Sequence, residues 1–376
     1  MDFSFTEEEQ EVSDLARKIL EDQVTHEKLT ELESSGTPRF DRELWAELAK
    51  ANLLGIGLPE AVGGSGLSLL AQSLVIEQIG RTLAPVPYLA TIAMGADVLA
   101  AHGTDGQIDR WVRPAIDGEC VLTAAIAEPA NREPARPATT ATRVDGGWRL
   151  DGVKTAVPAA TIADAILVTA TVDGHAALFI VEPGAPGLTV MAQDTTNHEP
   201  YGYVELDGVV AAADAVVGGD VTAGHEAIDR LLLRSTIGLC ATQLGVTEEG
   251  LRATAEYTKE RVQFQRPIAT FQAVGHRCAD AYIDVEGIRL SLWQAIENIE
   301  TGSDEATVAV QTAKFWASEG GHRVAHAIVH LHGGMGIATE YFVHRYFAFA
   351  KQIEFSLGGA TEQALRIGAH LASAPA

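Results

Sequence analysis

Three clusters of residues in this chain have types and spacings that could do chemistry. The run RVQFQRPI at Arg261–Ile268 continues into FQAVGHR and places arginines and Phe264 close to Gln272. Guanidinium groups fork onto carboxylates and phosphates, and an aromatic face can cover a flat ring. Taken alone, an arginine with an aromatic three positions on also describes an ordinary helix end. HGGMG at His332–Gly336 could bring backbone N–H groups against a phosphate or a sugar, because glycine carries no Cβ to hold a ligand off. GGSG at Gly63–Gly66 has no following Lys-Ser/Thr, so it reads as a turn and not as a phosphate-binding P-loop. His322, His326 and His330 recur every fourth residue, with His332 just beyond, a spacing that can chelate zinc. No HExxH arrangement and no carboxylate or cysteine cluster accompanies them. They therefore read as a packed or hydrogen-bonded interface helix, with no metal.

Charge narrows the ligands. The chain carries 27 Lys and Arg against 51 Asp and Glu, a formal net charge of −24. Such a field repels nucleic acid, whose binding depends on neutralising phosphates, and it repels anionic membranes. A polyanionic small ligand can still bind, through local arginines and backbone N–H groups. Cys120, Cys240 and Cys278 lie far apart with no CxxC pair, which argues against a disulfide framework or a zinc knuckle. The N-terminus lacks the basic start and apolar run of a signal peptide, and no apolar stretch reaches the roughly 20 residues that cross a bilayer. The expectation is a cytoplasmic protein.

The elements that must position these clusters fall into three blocks. Residues 1–120 read as an N-terminal all-α domain. Phe3, Phe5, Val12, Leu15, Ile19 and Leu20 recur at helical spacing behind Thr6 as N-cap. Leu44, Trp45 and Leu48 mark a second helix, and a third runs from about Ser68 to Ile79. Residues 121–222 change character: short alternating runs lie between turn signals, and no Lys or Arg occurs between Thr155 and Asp229. Asp145-Gly146-Gly147 is a hairpin cue, and ADAILVTATV, HAALFIVEP and YGYVELDGVV read as strands of a β-barrel or sandwich. Residues 223–376 return to long helices (Ile228 to Glu260, Val274 to Ile299, Glu305 to Val329, Thr361 to Leu371), as in a four-helix bundle. The fold class is thus α+β and multidomain. The missing βαβ alternation excludes a doubly wound nucleotide fold.

Read in order, LPEAVGGSG, AEP at Ala127–Pro129, DGVKTAV, RVQFQRPIATFQAV, HGGMG and LGGATEQ resemble the acyl-CoA dehydrogenase family over essentially the whole chain. Each motif is soft, and the ordered set is specific. FDRELW, GHRVAH and AKQIEFSLGGAT are most similar to actinobacterial members acting on steroid side-chain thioesters, some of which assemble from two different subunits. The resemblance implies FAD bound between subunits, an acyl-CoA substrate, and electron-transfer flavoprotein or a similar acceptor.

The resemblance also exposes what is missing. In this chemistry a carboxylate removes the α-proton of an acyl thioester while the β-hydrogen leaves as hydride. The family places that glutamate at one of two positions, which here are Gly358 and Ser235; neither can act as the base. Glu354 and Glu362, each four residues from Gly358, are the substitutes to weigh. The family's Thr-Glu-Pro is Ala127-Glu128-Pro129, and the ring-covering aromatic and the following threonine are Ala156 and Pro158. The residues implied to reach a neighbour's FAD survive as Arg261, Phe264, Gln272, Gly333 and Gly334. His330 replaces the usual glutamine and Gln265 the usual glycine after Phe264. The expectation is a two-plus-two heterotetramer in which a second dehydrogenase subunit supplies the base. Two alternatives stay open, a self-sufficient enzyme with a displaced base and a non-catalytic scaffold of the same fold.

Overall fold

The structure, a computed structural model, describes residues 5–373. Phe3 of the first helical pattern lies outside the described residues. In chain order come α1 (Glu7–Gln23), α2 (His26–Ser34), α3 (Arg42–Lys50), α4 (Leu69–Thr82), α5 (Asp97–His102), α6 (Asp105–Gln107) and α7 (Arg113–Ile116). Seven strands follow: β1 (Leu122–Ala125), β2 (Thr140–Val144), β3 (Gly147–Val157), β4 (Ala165–Val172), β5 (His175–Val181), β6 (Leu188–Gln193) and β7 (Tyr201–Ala212). The chain closes with α8 (Gly224–Glu260), the two-residue strands β8 (Val262–Gln263) and β9 (Arg266–Pro267), α9 (Gln272–Glu300), α10 (Ala306–His332), α11 (His344–Phe355) and α12 (Ala360–Ser373). They form two compact units, one of residues up to 28, 69–84 and from 236 onward, the other of residues 29–68 and 85–235.

The first unit is helical. α1 starts at a capping box in which the Thr6 hydroxyl accepts from the Glu9 N–H and the Glu9 carboxylate accepts from the Thr6 N–H, satisfying two orphan helix-end donors. α4 runs three residues past Ile79, where the sequence suggests a stop, because Gly80 is a crossing residue and not a terminator. A Cβ at Gly80 would sit 2.3 Å from the Thr242 carbonyl oxygen, and one at Gly245 2.0 Å from that of Glu77. The two glycines let the backbones of α4 and α8 approach where any side chain would hold them apart. Gly245→Ala should therefore destabilise by about 1–3 kcal/mol despite alanine's better helix propensity; urea denaturation reads it as a lower midpoint at unchanged slope. The four expected helices of the C-terminal bundle appear as α8, α9, α10 and α12, and a shorter one stands between the last two. α11 is the addition: its aromatic-rich HRYFAFAKQIEF has no side-chain cap at its N-terminus, so nothing announces its start.

The second unit holds α2, α3 and a single seven-stranded sheet, ordered β1-β4-β2-β3-β7-β6 with β5 on β4. Asp145-Gly146 makes the β2–β3 hairpin turn, with Gly146 at φ +81° and Val144 opposite Gly147, as the cue predicts. The three sequence-read strands appear as β4, β5 and β7. β1 is too short and too uniformly buried to alternate, so its pattern is silent. It pairs in parallel with β4, Leu122 opposite Ala165. No helix among the described residues is long and apolar enough to cross a membrane.

Candidate functional site

In the second unit, the segments that match the family's ring-side motifs are tied together by one buried ion pair. Lys154 on β3 is 0% exposed and donates to Glu128 Oε1 and to the Thr169 hydroxyl, both at 2.8 Å. Glu128 also accepts from the Thr139 N–H (2.8 Å) and hydroxyl (2.6 Å), the Ala138 N–H (2.6 Å) and Asn131 Nδ2 (2.7 Å). Burial alone would raise this carboxyl, but the Lys154 ammonium and these hydrogen bonds outweigh it and hold it at about 2. Burial draws Lys154 down to about 8 against the pull of Glu128, so both groups are charged at neutral pH. The Thr155 N–H then donates to the Ala127 carbonyl at 2.9 Å, fixing the AEP loop against the end of β3.

Just beyond, Ala156 and Ala159 adopt φ +49° and +54°, a left-handed backbone that is costly for residues other than glycine. The exposed Ala156 N–H is already engaged: it donates to Gln193 Oε1 at 2.7 Å, while Gln193 Nε2 donates to the Thr155 hydroxyl at 3.2 Å. Pro158 has no N–H to offer, and its carbonyl accepts the Thr123 hydroxyl. Ala127 and Ala156 offer neither a hydroxyl nor an aromatic face. Sequence reasoning found the losses at 127, 156 and 158. It missed Gln193, which lies at the end of β6, beyond β7 in the sheet, and carries no motif.

Neither of the two positions where the resemblance implies a base, Ser235 and Gly358, carries a carboxylate. Ser235 on α8 is fully buried, and its hydroxyl donates to the Leu231 carbonyl at 2.5 Å. Gly358 sits between α11 and α12 at φ +97°, where a Cβ would meet Gln363 Nε2 and Glu362 Cβ at 3.2 Å each. Gln363 holds this loop by donating to the Leu357 and Gly358 carbonyls at 3.1 and 3.2 Å. The fully buried Lys314 holds the end of α11, donating to the Ile353 and Glu354 carbonyls at 3.0 and 3.2 Å. Of the two substitutes, Glu354 is engaged: its carboxylate accepts from Lys351 Nζ at 2.6 Å and lies 3.2 Å from His322 Nδ1, with its side chain only 12% exposed. Glu362 is half-buried in the first turn of α12.

The histidine stripe lies along an outer face of α10: His326 and His330 are exposed, and His322 Nδ1 lies 3.2 Å from Glu354 Oε2. His322 and His326 rings lie 4.4 Å apart, and His326 meets Phe347 edge-on at 5.2 Å. Among the described residues no group of three or more His, Cys, Asp or Glu could hold a metal ion.

The residues expected to reach outward are brought together in the first unit. Arg261, Phe264 and Gln272 lie on an exposed arm formed by β8, β9 and the start of α9, and Phe264 is 88% exposed. No Asp or Glu occurs between Glu260 and Asp280, while Arg261, Arg266 and Arg277 do, a cationic island in an acidic chain. The Arg261 N–H donates to the Tyr257 carbonyl at 2.8 Å. Tyr257 stacks on His332 with ring centroids 4.2 Å apart, and His332 Nε2 lies 3.2 Å from the Thr254 hydroxyl. Burial lowers His332 to about 4, so it packs as a neutral ring. The root of the arm is thereby fixed beside His330, Gly333 and Gly334 at the end of α10. Gly333 takes φ +62°, and nothing lies within 4 Å of where a Cβ would project from either glycine. This leaves open backbone of the kind a phosphate or ribose can approach.

Comparisons with known proteins agree along the whole chain. Three family models match: acyl-CoA dehydrogenase N-terminal domain at residues 6–119, middle domain at 123–209 and C-terminal domain at 222–372. The acyl-CoA dehydrogenase FadE27 of Mycobacterium tuberculosis is 44% identical, over 100% of both chains. A chain in the crystal structure of the ChsE4-ChsE5 complex from M. tuberculosis superimposes with a TM-score of 0.94 at 44% identity, covering 100% of both. A chain in the structure of a variant of the Tcur3481-Tcur3483 steroid ACAD gives 0.91 at 43% identity, covering 97% of this chain and 98% of that one.

Proposed function

Given that this chain belongs to the acyl-CoA dehydrogenase family, whose cofactor is FAD, we propose that it is the partner-completing subunit of a heteromeric enzyme. In this reading it assembles two-plus-two with a second dehydrogenase subunit that supplies the catalytic glutamate and the acyl pocket. The complex introduces a trans α,β double bond into an acyl-CoA thioester. A steroid side-chain acyl-CoA is the proposed substrate, because similar complexes include a steroid ACAD. Electron-transfer flavoprotein or a like carrier is the proposed acceptor.

One observation carries the proposal. The exposed cationic arm keeps Arg261, Phe264 and Gln272, while on the resident side Ala127, Ala156 and Pro158 offer no hydroxyl and no aromatic face, and the Ala156 N–H donates to Gln193. The residues of this chain fit the phosphate-bearing end of FAD and do not fit its ring. Arg261 would pair with phosphate, Phe264 would cover a flat surface, and Gln272 and the backbone at Gly333–Gly334 would hydrogen-bond. His330, where the family has glutamine, would offer an imidazole N–H in place of an amide. Bound FAD supplies the hydride acceptor. This chain's part is to hold the cofactor in register, while the partner's carboxylate takes the α-proton and hydrogen-bond donors stabilise the developing enolate.

Co-expression with a neighbouring dehydrogenase subunit tests the reading. A yellow heterotetramer with one FAD per pair of unlike chains is expected, with no turnover by this chain alone. Glu354→Gln and Glu362→Gln should each leave turnover within about twofold, because no proton is lost to either group. A single-species preparation that oxidises an acyl-CoA, or a collapse of turnover in either variant, would favour self-sufficiency. A colourless complex would favour a scaffold.

A further inference from the structure

Three residues on the arm are positioned by a fourth that no motif singles out. Phe271 is the N-cap residue of α9, and its carbonyl accepts from the Val274 and Gly275 N–H groups at 3.0 and 3.1 Å. Its own N–H donates to the Ile268 carbonyl at 3.0 Å, closing the short turn after β9. Its ring receives two side chains from the hairpin. The Arg266 guanidinium carbon stands 4.1 Å from the ring centroid, and the Phe264 ring meets it edge-on at 6.0 Å. The hairpin tip is otherwise exposed, and both Phe264 and Gln265 sit at positive φ, +54° and +64°. A two-residue tip in that conformation is strained for side-chain-bearing residues, and a two-stranded hairpin alone is marginal in water. The strand pairing and the Ile268 N–H, which donates to the Arg261 carbonyl at 2.8 Å, close its base; Phe271 is the side chain on which the tip residue Phe264 and the second-strand residue Arg266 both rest.

We infer that Phe271, clamped by Arg266 through a cation–π contact, is the positioning residue that pre-organises Arg261, Phe264 and Gln272 into one rigid FAD-phosphate-binding arm. The inference rests on the partner-completing reading. It makes affinity for the cofactor depend on two residues that need not touch it: Phe271 ties the tip to the helix start that carries Gln272, and Arg266 ties the second strand to the same ring. Loosening either contact makes binding bear the cost of ordering the hairpin.

The test uses the reconstituted heterotetramer, titrated with FAD after the flavin is removed. Phe271→Ala should raise the FAD dissociation constant by about tenfold, with heterotetramer size unchanged and turnover at saturating FAD within about twofold of the parent. Phe271→Trp, which keeps an aromatic face under Arg266, should recover most of the affinity. Unchanged FAD affinity in Phe271→Ala overturns the inference and leaves the subunit reading intact. A fall in turnover at saturating FAD, or loss of the tetramer, also overturns it, since the ring would then act on the fold at large. If the parent complex takes up no flavin, it is the subunit reading that fails.

Discussion

Replacing Lys154 with methionine is expected to cost about 3–5 kcal/mol of stability, because it leaves Glu128 charged and buried without its cation. The five groups that donate to this carboxylate come from three segments: the AEP loop, the entry to β2 and the middle of β3. Losing the ammonium therefore loosens the loop and both strands. The pH dependence has a definite sign. Glu128 is held at about 2 against an ordinary 4.5, so the unfolded chain binds more protons in that window. Its contribution is fully present above about pH 4.5 and is lost as the pH falls towards 2. Without Lys154 the opposing effect of burial dominates, the carboxyl rises, and acid unfolding should begin nearer neutrality. Denaturant titrations of parent and variant between pH 2 and 7, at roughly half-unit steps, read both effects. The double variant Glu128→Gln, Lys154→Met should recover part of the loss, because no bare charge remains. If Lys154→Met were as stable as the parent at pH 7, the pair would have no structural role.

The second large effect is on the cofactor. In the proposed heterotetramer, Arg261→Ala with Phe264→Ala should weaken FAD binding by about a hundredfold. A charge-assisted hydrogen bond contributes about 1.5–3 kcal/mol and an aromatic contact about 0.5–1.5. Both side chains are exposed on the arm and support no core, so the free chain should keep its unfolding midpoint. Equilibrium titration with FAD checks the first expectation and denaturation of the isolated chain the second. Retained affinity in this variant would mean that the arm does not reach the cofactor.

How much of this was legible beforehand depends on what a residue's own neighbours in sequence say about it. The capping box at Thr6, the Asp145-Gly146 turn and the long helices of the C-terminal block could be read because their signals are local. The two positions where the resemblance implies a glutamate could be assigned because Gly358 falls inside LGGATEQ and Ser235 lies at a set distance before Arg261. Gln193 and Lys314 could not. Each acts on a segment it meets only after folding: β3 for Gln193 and the end of α11 for Lys314. Phe271 stands inside FQAVGHR, but its contact with Arg266 exists only once the hairpin has formed. The stop expected at about Ile79 came three residues early for the same reason. A glycine inside a helical pattern looks like punctuation until a second helix, α8, is seen to pass beside it.

The amide taken by Gln193 bears on how such a chain could change over time. Restoring an aromatic at Ala156 would return a ring cover over an N–H that is still spoken for. Releasing that N–H by shortening Gln193 would leave the left-handed Ala156 with less to hold it. Either step alone brings no gain, and both together still leave Pro158 without a donor. On the proposed reading, independence is separated from the present sequence by several simultaneous changes, which would act as a ratchet favouring reliance on a companion.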